Sequence, residues 1–111
     1  MRIRKESDDL QEDDILLIAN ISDALAHPVR VRIFRFILQR EALRTSVCNK
    51  DVVAEFDYSQ ATISQHIRKL IKSDLVRVHR QDRFSYYSPN VALLDRYFKA
   101  IDMLHGEEQQ P

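Results

Sequence analysis

A chain of 111 residues with a single glycine and three prolines has little material for interdomain linkers or glycine-rich phosphate cradles. One cysteine, Cys48, excludes an intrachain disulfide. Tryptophan is absent, and no apolar stretch approaches the roughly 18 residues that cross a bilayer, so no membrane span or membrane partner is expected. The opening MRIRKESDD lacks the apolar segment of a secretory signal, which with the lone thiol points to a reducing, cytoplasmic setting. Four dispersed histidines, no nucleophile with an evident base and no complete metal constellation argue against an enzyme. Neither sign of charge is in excess, with 17 Lys and Arg against 17 Asp and Glu. Taken alone, that balance speaks against a polyanionic partner.

The balance is an average over a polarised chain. From Ser59 to Asn90 six basic residues (Arg68, Lys69, Lys72, Arg77, Arg80, Arg83) face two acidic ones (Asp74, Asp82), a net +4. Residues 1–14 carry six acids against three bases, and Glu107 and Glu108 add to the acidic end. Positive charge is therefore gathered into one contiguous segment. A hydrophobic share of 44% beside 31% charged residues suits one globular domain, burying roughly 65% of its unfolded surface.

Residues 1–11 are charged and aperiodic and read as a flexible arm, residues 12–105 as the folded domain, and residues 106–111 as a flexible tail. A first helix is predicted from Glu12 to Ala26, with Ile15, Ile18, Ser22 and Leu25 on one stripe and Leu17 and Ile21 widening it. The next begins at Pro28, where the missing amide hydrogen is not needed, with His27 as cap and Ile33, Phe34, Ile37 and Leu38 inward. After a break from Glu41 to Cys48, Asn49 is the expected cap of a short helix carrying Val52, Val53 and Phe56.

Ser59 can cap the following helix, on which Ile63, Ile67, Leu70 and Ile71 recur at three and four residues. That leaves Thr62, Gln65, Arg68 and Lys69 outward, and puts His66 at the flank, where it touches a ligand or packs on the neighbouring helix. Leu75 to Arg80 and Arg83 to Ser88 then alternate, with Val76 and Val78 on one side; Gln81 and Asp82 form the turn of a hairpin. A last helix is expected from Pro89 to His105. Its two apolar stripes, Val91, Leu94, Phe98, Ile101 and Leu93, Tyr97, Ala100, Leu104, are too wide for a monomer of this size, as is the first helix. A homodimer through the first and last helices accounts for the excess.

The fold class is thus mainly α with a β-hairpin wing, a winged helix-turn-helix. Gln60, Thr62, Ser64 and Gln65, in the N-terminal half of this helix, can donate to and accept from base edges in a major groove. Arg68, Lys69 and Lys72 suit backbone phosphates, and Arg80 and Arg83 flank a wing tip that can reach the neighbouring groove. Ser59 and His66 complete the expected contact set.

Three strings carry a family resemblance. Ala24-Leu25-Ala26-His27-Pro28-Val29-Arg30-Val31-Arg32-Ile33 is similar to "LADPTRLRIL"; Ser59-Gln60-Ala61-Thr62-Ile63-Ser64-Gln65-His66-Ile67-Arg68-Lys69-Leu70 is similar to "SQPTVSRHLKVL"; Leu75-Val76, Arg80, Arg83 and Tyr86-Tyr87 resemble the wing. Together they resemble the arsenic-repressor-like (ArsR/SmtB) family of dimeric winged-helix regulators over residues 12–104. The resemblance implies a repressor on a palindromic double-stranded operator, released by a signal. It departs at two turns, where the family's usual glycines are Asp74 and Asp82, and at His27, where aspartate is common.

The implied sensing sites are incomplete. In the family's third-helix metalloid motif "ELCVCDL" this chain keeps Cys48 and has Lys50 for the second cysteine, too few thiolates for a thiophilic metalloid. Cys48 is either a small packed residue or a redox-reactive thiol. Of the last-helix "DxH…HxxE" metal pattern, His105 and Glu108 remain, while Ala92 and Leu94 occupy the first half and Asp95 is out of register. No cofactor is expected; Asp102, His105 and Glu108 could hold a divalent metal only weakly. The competing readings are a winged-helix module for a protein partner and a thiol-redox regulator acting through Cys48.

Overall fold

The computed structural model describes residues 10–108; the expected arm over residues 1–9 and tail residues 109–111 lie outside the described residues. In chain order the elements are α1 (Glu12–Ala24), α2 (Pro28–Ala42), β1 (Val47–Cys48), α3 (Asn49–Glu55), α4 (Gln60–Lys72), β2 (Val76–Gln81), β3 (Phe84–Pro89) and α5 (Val91–Glu108). The strands form one antiparallel sheet in the order β1-β3-β2.

One core joins these pieces. Ile21 and Ala24 of α1, Val29, Ile33, Phe34, Phe36 and Ile37 of α2, Val52 of α3, and Ile63, Ile67 and Leu70 of α4 are buried together with Val47, Leu75 and Val76. Complete burial of an isoleucine or leucine contributes about 2 kcal/mol, so these positions hold α4 in place while its other side stays in solvent. Against this core pack Leu17, Leu25, Leu93, Leu94 and Tyr97. Tyr97 also shares a hydrogen bond with Ser22 (Oη to Oγ 2.9 Å), which ties α5 across α1.

Several boundaries differ from expectation, each for a local reason. α1 stops at Ala24, two residues early: the amide of Ala26 turns back to Asp23 O (3.2 Å) and His27 is extended (φ −133°, ψ 129°), as a residue before proline prefers. His27 does cap α2, its Nδ1 accepting from Val29 N (3.1 Å). Cys48 rather than Asn49 caps α3. Val47 and Cys48 pair with Tyr87 and Tyr86, which holds Cys48 extended, and the Asp51 carboxylate accepts its amide hydrogen at 2.8 Å.

The hairpin turn is Asp82-Arg83, one residue later than expected, because Gln81 still pairs with Phe84. Pro89 closes β3 opposite Val76 instead of opening α5. Asn90 caps that helix, its Oδ1 accepting from Leu93 N at 3.2 Å. α5 also runs past the expected end at His105, through Gly106 to Glu108; one glycine costs a helix only about 1 kcal/mol. Val78 shares the side of Val76 but projects beyond the core and is exposed.

The resemblance had marked Asp74 and Asp82 as glycine substitutes, and both adopt positive φ (71° and 57°). Aspartate bears that conformation better than most residues. Arg44 (φ 56°) does so too, which nothing in the sequence pattern had indicated.

α1 and α5 keep much of their apolar surface in solvent. Leu16 is 58% exposed and Phe98 56%, and Ile15, Val91, Ile101 and Leu104 are exposed as well. The radius of gyration, 16.9 Å, exceeds the roughly 13 Å of a compact chain of about 100 residues. The elongation and the uncovered apolar residues agree.

Candidate nucleic-acid interface

α4 presents its polar side because its apolar side is fixed. Ile63, Ile67 and Leu70 are 0–2% exposed, so at 100° per residue Gln65, Arg68, Lys69 and Lys72 must face solvent, and all four are exposed, as is Gln60 in the first turn. Thr62 and Ser64 are half-buried. Ser59 is the N-cap: its Oγ accepts from Thr62 N (3.2 Å) and its hydroxyl donates to Thr62 Oγ1 (3.0 Å). Part of the hydrogen-bonding capacity of Ser59 and Thr62 is thus spent in building the helix start, whereas Gln60 and Gln65 remain exposed for an outside partner.

Gln65, His66, Arg68, Lys69 and Lys72 come together, joined by Arg30 from α2, around a concavity of about 360 Å³. His66 is half-buried there, its Nδ1 3.5 Å from Arg30 Nη1 and its ring 4.5 Å, centroid to centroid, from that of His27. Burial first, then His27 and the Arg30 guanidinium, hold His66 below the ordinary histidine pKa. Both expected fates of His66 thus meet in one place: it packs on α2 and lines the basic surface. Arg30 carried no role in the sequence reading. The available signal was its position one turn into α2, directly after the end of α1, where a guanidinium can reach the last carbonyls of the preceding helix.

The C-terminal end of α4 is pinned. Ser73 Oγ donates to Leu70 O (2.8 Å) and accepts from Leu75 N (3.3 Å). The Nδ2 of buried Asn90 donates to Asp74 O (3.0 Å) and Asp74 Oδ2 (3.3 Å), and its amide donates to Leu75 O (2.8 Å). Asn90 was missed because its role depends on the turn conformation at Asp74, sixteen residues away.

On the wing, Arg80 lies on β2 opposite Ser85, and Arg83 occupies the turn itself; both are exposed. Lys50 of α3 sets its Nζ 6.0 Å from the centre of the Phe84 ring, a cation–π contact between the first helix of the helix-turn-helix and the wing tip. Cys48 is half-buried at the start of α3. Asp102 and His105 are exposed on α5, and the Glu108 side chain lies outside what is described. Among the described residues no three His, Cys, Asp or Glu side chains gather as a metal site, and no helix is long and apolar enough to cross a membrane.

A short helix, a tight connection and a solvent-facing second helix, followed by a basic β-hairpin, define a winged helix-turn-helix protein. Residues 25–79 match the family model described as a helix-turn-helix domain. The arsenical resistance operon repressor of Staphylococcus xylosus is 25% identical over 92 residues, 83% of this chain and 84% of its own length. That of Staphylococcus aureus is 27% identical over 64 residues, 58% of this chain and 62% of its own.

Among solved structures, a possible transcriptional regulator for arsenical resistance superimposes with TM-score 0.62 at 26% identity, covering 74% of this chain and 80% of its own. The homodimeric winged helix-turn-helix DNA-binding domain of a possible ArsR-family regulator from Mycobacterium bovis shares the fold (TM-score 0.64, 18% identity, 99% and 94% covered). The chain carries this helix-turn-helix domain and is similar in sequence and fold to arsenic-repressor-like winged helix-turn-helix transcriptional regulators.

Proposed function

We propose that this chain is a sequence-specific DNA-binding transcriptional regulator, a cytoplasmic homodimeric repressor without catalytic activity. The observation that carries the reading is the outer face of α4, where exposed Gln65 precedes Arg68, Lys69 and Lys72 opposite the buried side, with exposed Gln60 in the first turn. Amide side chains toward the N-terminal half read base edges, and the cations that follow hold phosphates. Arg80 and Arg83 reach the duplex from the wing. Two such heads address half-sites roughly 34 Å apart on a palindrome. The uncovered apolar residues of α1 and α5 support the dimer, because a patch of this kind is removed from water most simply by its symmetric copy. No resident cofactor is assigned. An oxidant response would be traced to Cys48 by its loss in Cys48→Ser with DNA affinity intact.

Selection of duplexes from a random pool, with the mass of the complex measured in solution, tests this. Enrichment of a palindrome bound by two chains is the expected result. A pool that stays random while the chain captures a protein partner through the same face would overturn it.

A further inference from the structure

The concavity beside α4 is chemically one-sided. Of its six lining residues Arg30, Arg68, Lys69 and Lys72 carry fixed positive charge, Gln65 and His66 are polar, and no carboxylate lines it. Crowded cations with no acid among them make a strong local attraction for an anion.

Arg30 differs from the three cations of α4 because it is held from behind. Its Nε donates to Ala24 O (2.7 Å), its Nη2 to Asp23 O (3.3 Å), and its Nη1 faces His66 Nδ1 (3.5 Å). Those contacts use three of the five guanidinium N–H groups, leaving two on a side chain that is already ordered and so loses little freedom on binding. His66, accepting at Nδ1, carries its hydrogen at Nε2 when neutral. The titratable and charged groups facing it are His27 and Arg30 from the start of α2 and Lys69 along α4. Arg30 also ties this place to the end of α1, through the carbonyls of Asp23 and Ala24. His27 has its own Nδ1 committed to Val29 N. Burial, His27 and Arg30 oppose the protonation of His66, and an anion in the concavity would work against them.

We propose that Arg30 and His66, with Lys69 and Lys72, form a seat for one phosphate group, and that this phosphate belongs to the DNA backbone where α2 meets the recognition helix. The inference rests on the DNA-binding reading above and adds to it a contact from a second helix. That contact gives the head a further fixed point off the α4 axis, on the opposite side in sequence from the wing's Arg80 and Arg83.

Two arms test it. On the selected duplex, which seats two heads, Arg30→Gln lowers affinity about tenfold per head and reduces the salt slope by about 1.8, two phosphates' worth. A neutral methylphosphonate at one backbone position per half-site costs the wild type a similar factor, and costs Arg30→Gln nothing further. His66→Gln, which leaves the Arg30 contacts to α1 in place, shows the same non-additivity and guards against a folding defect in Arg30→Gln. Equal losses for wild type and both variants at every methylphosphonate position overturn the seat. In the second arm, inorganic phosphate titrated onto the protein moves the His66 ring signals saturably and raises the pH at which they titrate, and Arg30→Gln abolishes both. A wild type that binds no duplex yet gives that response overturns the DNA source, along with the DNA-binding reading, and leaves a free-anion site. No response in either arm overturns the seat itself.

Discussion

Asn90 is a single side chain on which two parts of the molecule depend, so its removal has a calculable cost. In Asn90→Ala the cap of α5 disappears, because Leu93 N loses Oδ1 as its acceptor at 3.2 Å; such caps contribute about 1 kcal/mol. The Asp74 carbonyl loses its donor at 3.0 Å, a hydrogen bond of about 1 kcal/mol made by a side chain that is itself only 7% exposed. The backbone bond from Asn90 N to Leu75 O remains. The expected loss is about 2 kcal/mol, or roughly 8 °C in melting temperature for a domain of this size. Urea unfolding followed by circular dichroism, at one fixed protein concentration because association adds to stability, measures it. Asn90→Ser restores the cap but cannot reach Asp74, so it should recover about half. If alanine and serine lose equally, or if alanine loses less than about 0.5 kcal/mol, the reasoning fails.

Asp82 occupies a left-handed conformation (φ 57°), so Asp82→Gly should raise stability by about 0.5 kcal/mol and Asp82→Ala should lower it, a difference visible in paired thermal melts. Gln65→Ala should weaken operator binding and relax base preference at one position per half-site, whereas Arg83→Ala should weaken all sequences alike and flatten the salt slope by about 1 per half-site, or about 2 for the dimer; competition assays with single-base operator variants separate the two. His66 is held below the ordinary value of 6.5 in the folded protein. As pH falls through about 6.5 the unfolded chain therefore takes up a proton that the folded chain refuses, and stability declines until the lowered folded value is passed. Above that window the group contributes no pH dependence. His66→Asn should remove this slope in urea titrations between about pH 5 and 8; an unchanged slope would place the titration elsewhere.

The helices were legible because periodicity reports burial directly. Ile63, Ile67 and Leu70 at three- and four-residue spacing located both the inner and outer faces of α4. Asp74 and Asp82 were marked as turn residues from the family pattern, and the backbone bears this out. What escaped was set by partners distant in sequence. A two-residue strand such as Val47–Cys48 has no period to detect and exists only because Tyr86 and Tyr87 lie beside it. Pro89 looked like a helix opener until its pairing with Val76 was seen. Arg30 sits in a helix whose pattern concerns its apolar residues; its position just past α1 hinted at the carbonyls it reaches, but its contact with His66, thirty-six residues on, is set by the packing of α4 on α2. The apolar excess of α1 and α5 was legible as a quantity, and exposed Leu16 and Phe98 match it.

The pairing of Val47 and Cys48 with β3 has a further consequence. The residue that starts α3 is also a rung of the ladder that carries the wing, and Asn90 clamps the far end of α4 to the root of the last helix. Wing and reading helix are therefore parts of one block, and neither can swing without breaking hydrogen bonds on the other. In the dimer proposed above, a releasing signal finds little to bend within a head. Its remaining lever is the spacing and angle between two heads, which α1 and α5 would set. An inducer would then act as a change of gauge, like rails moved too far apart for the same pair of wheels.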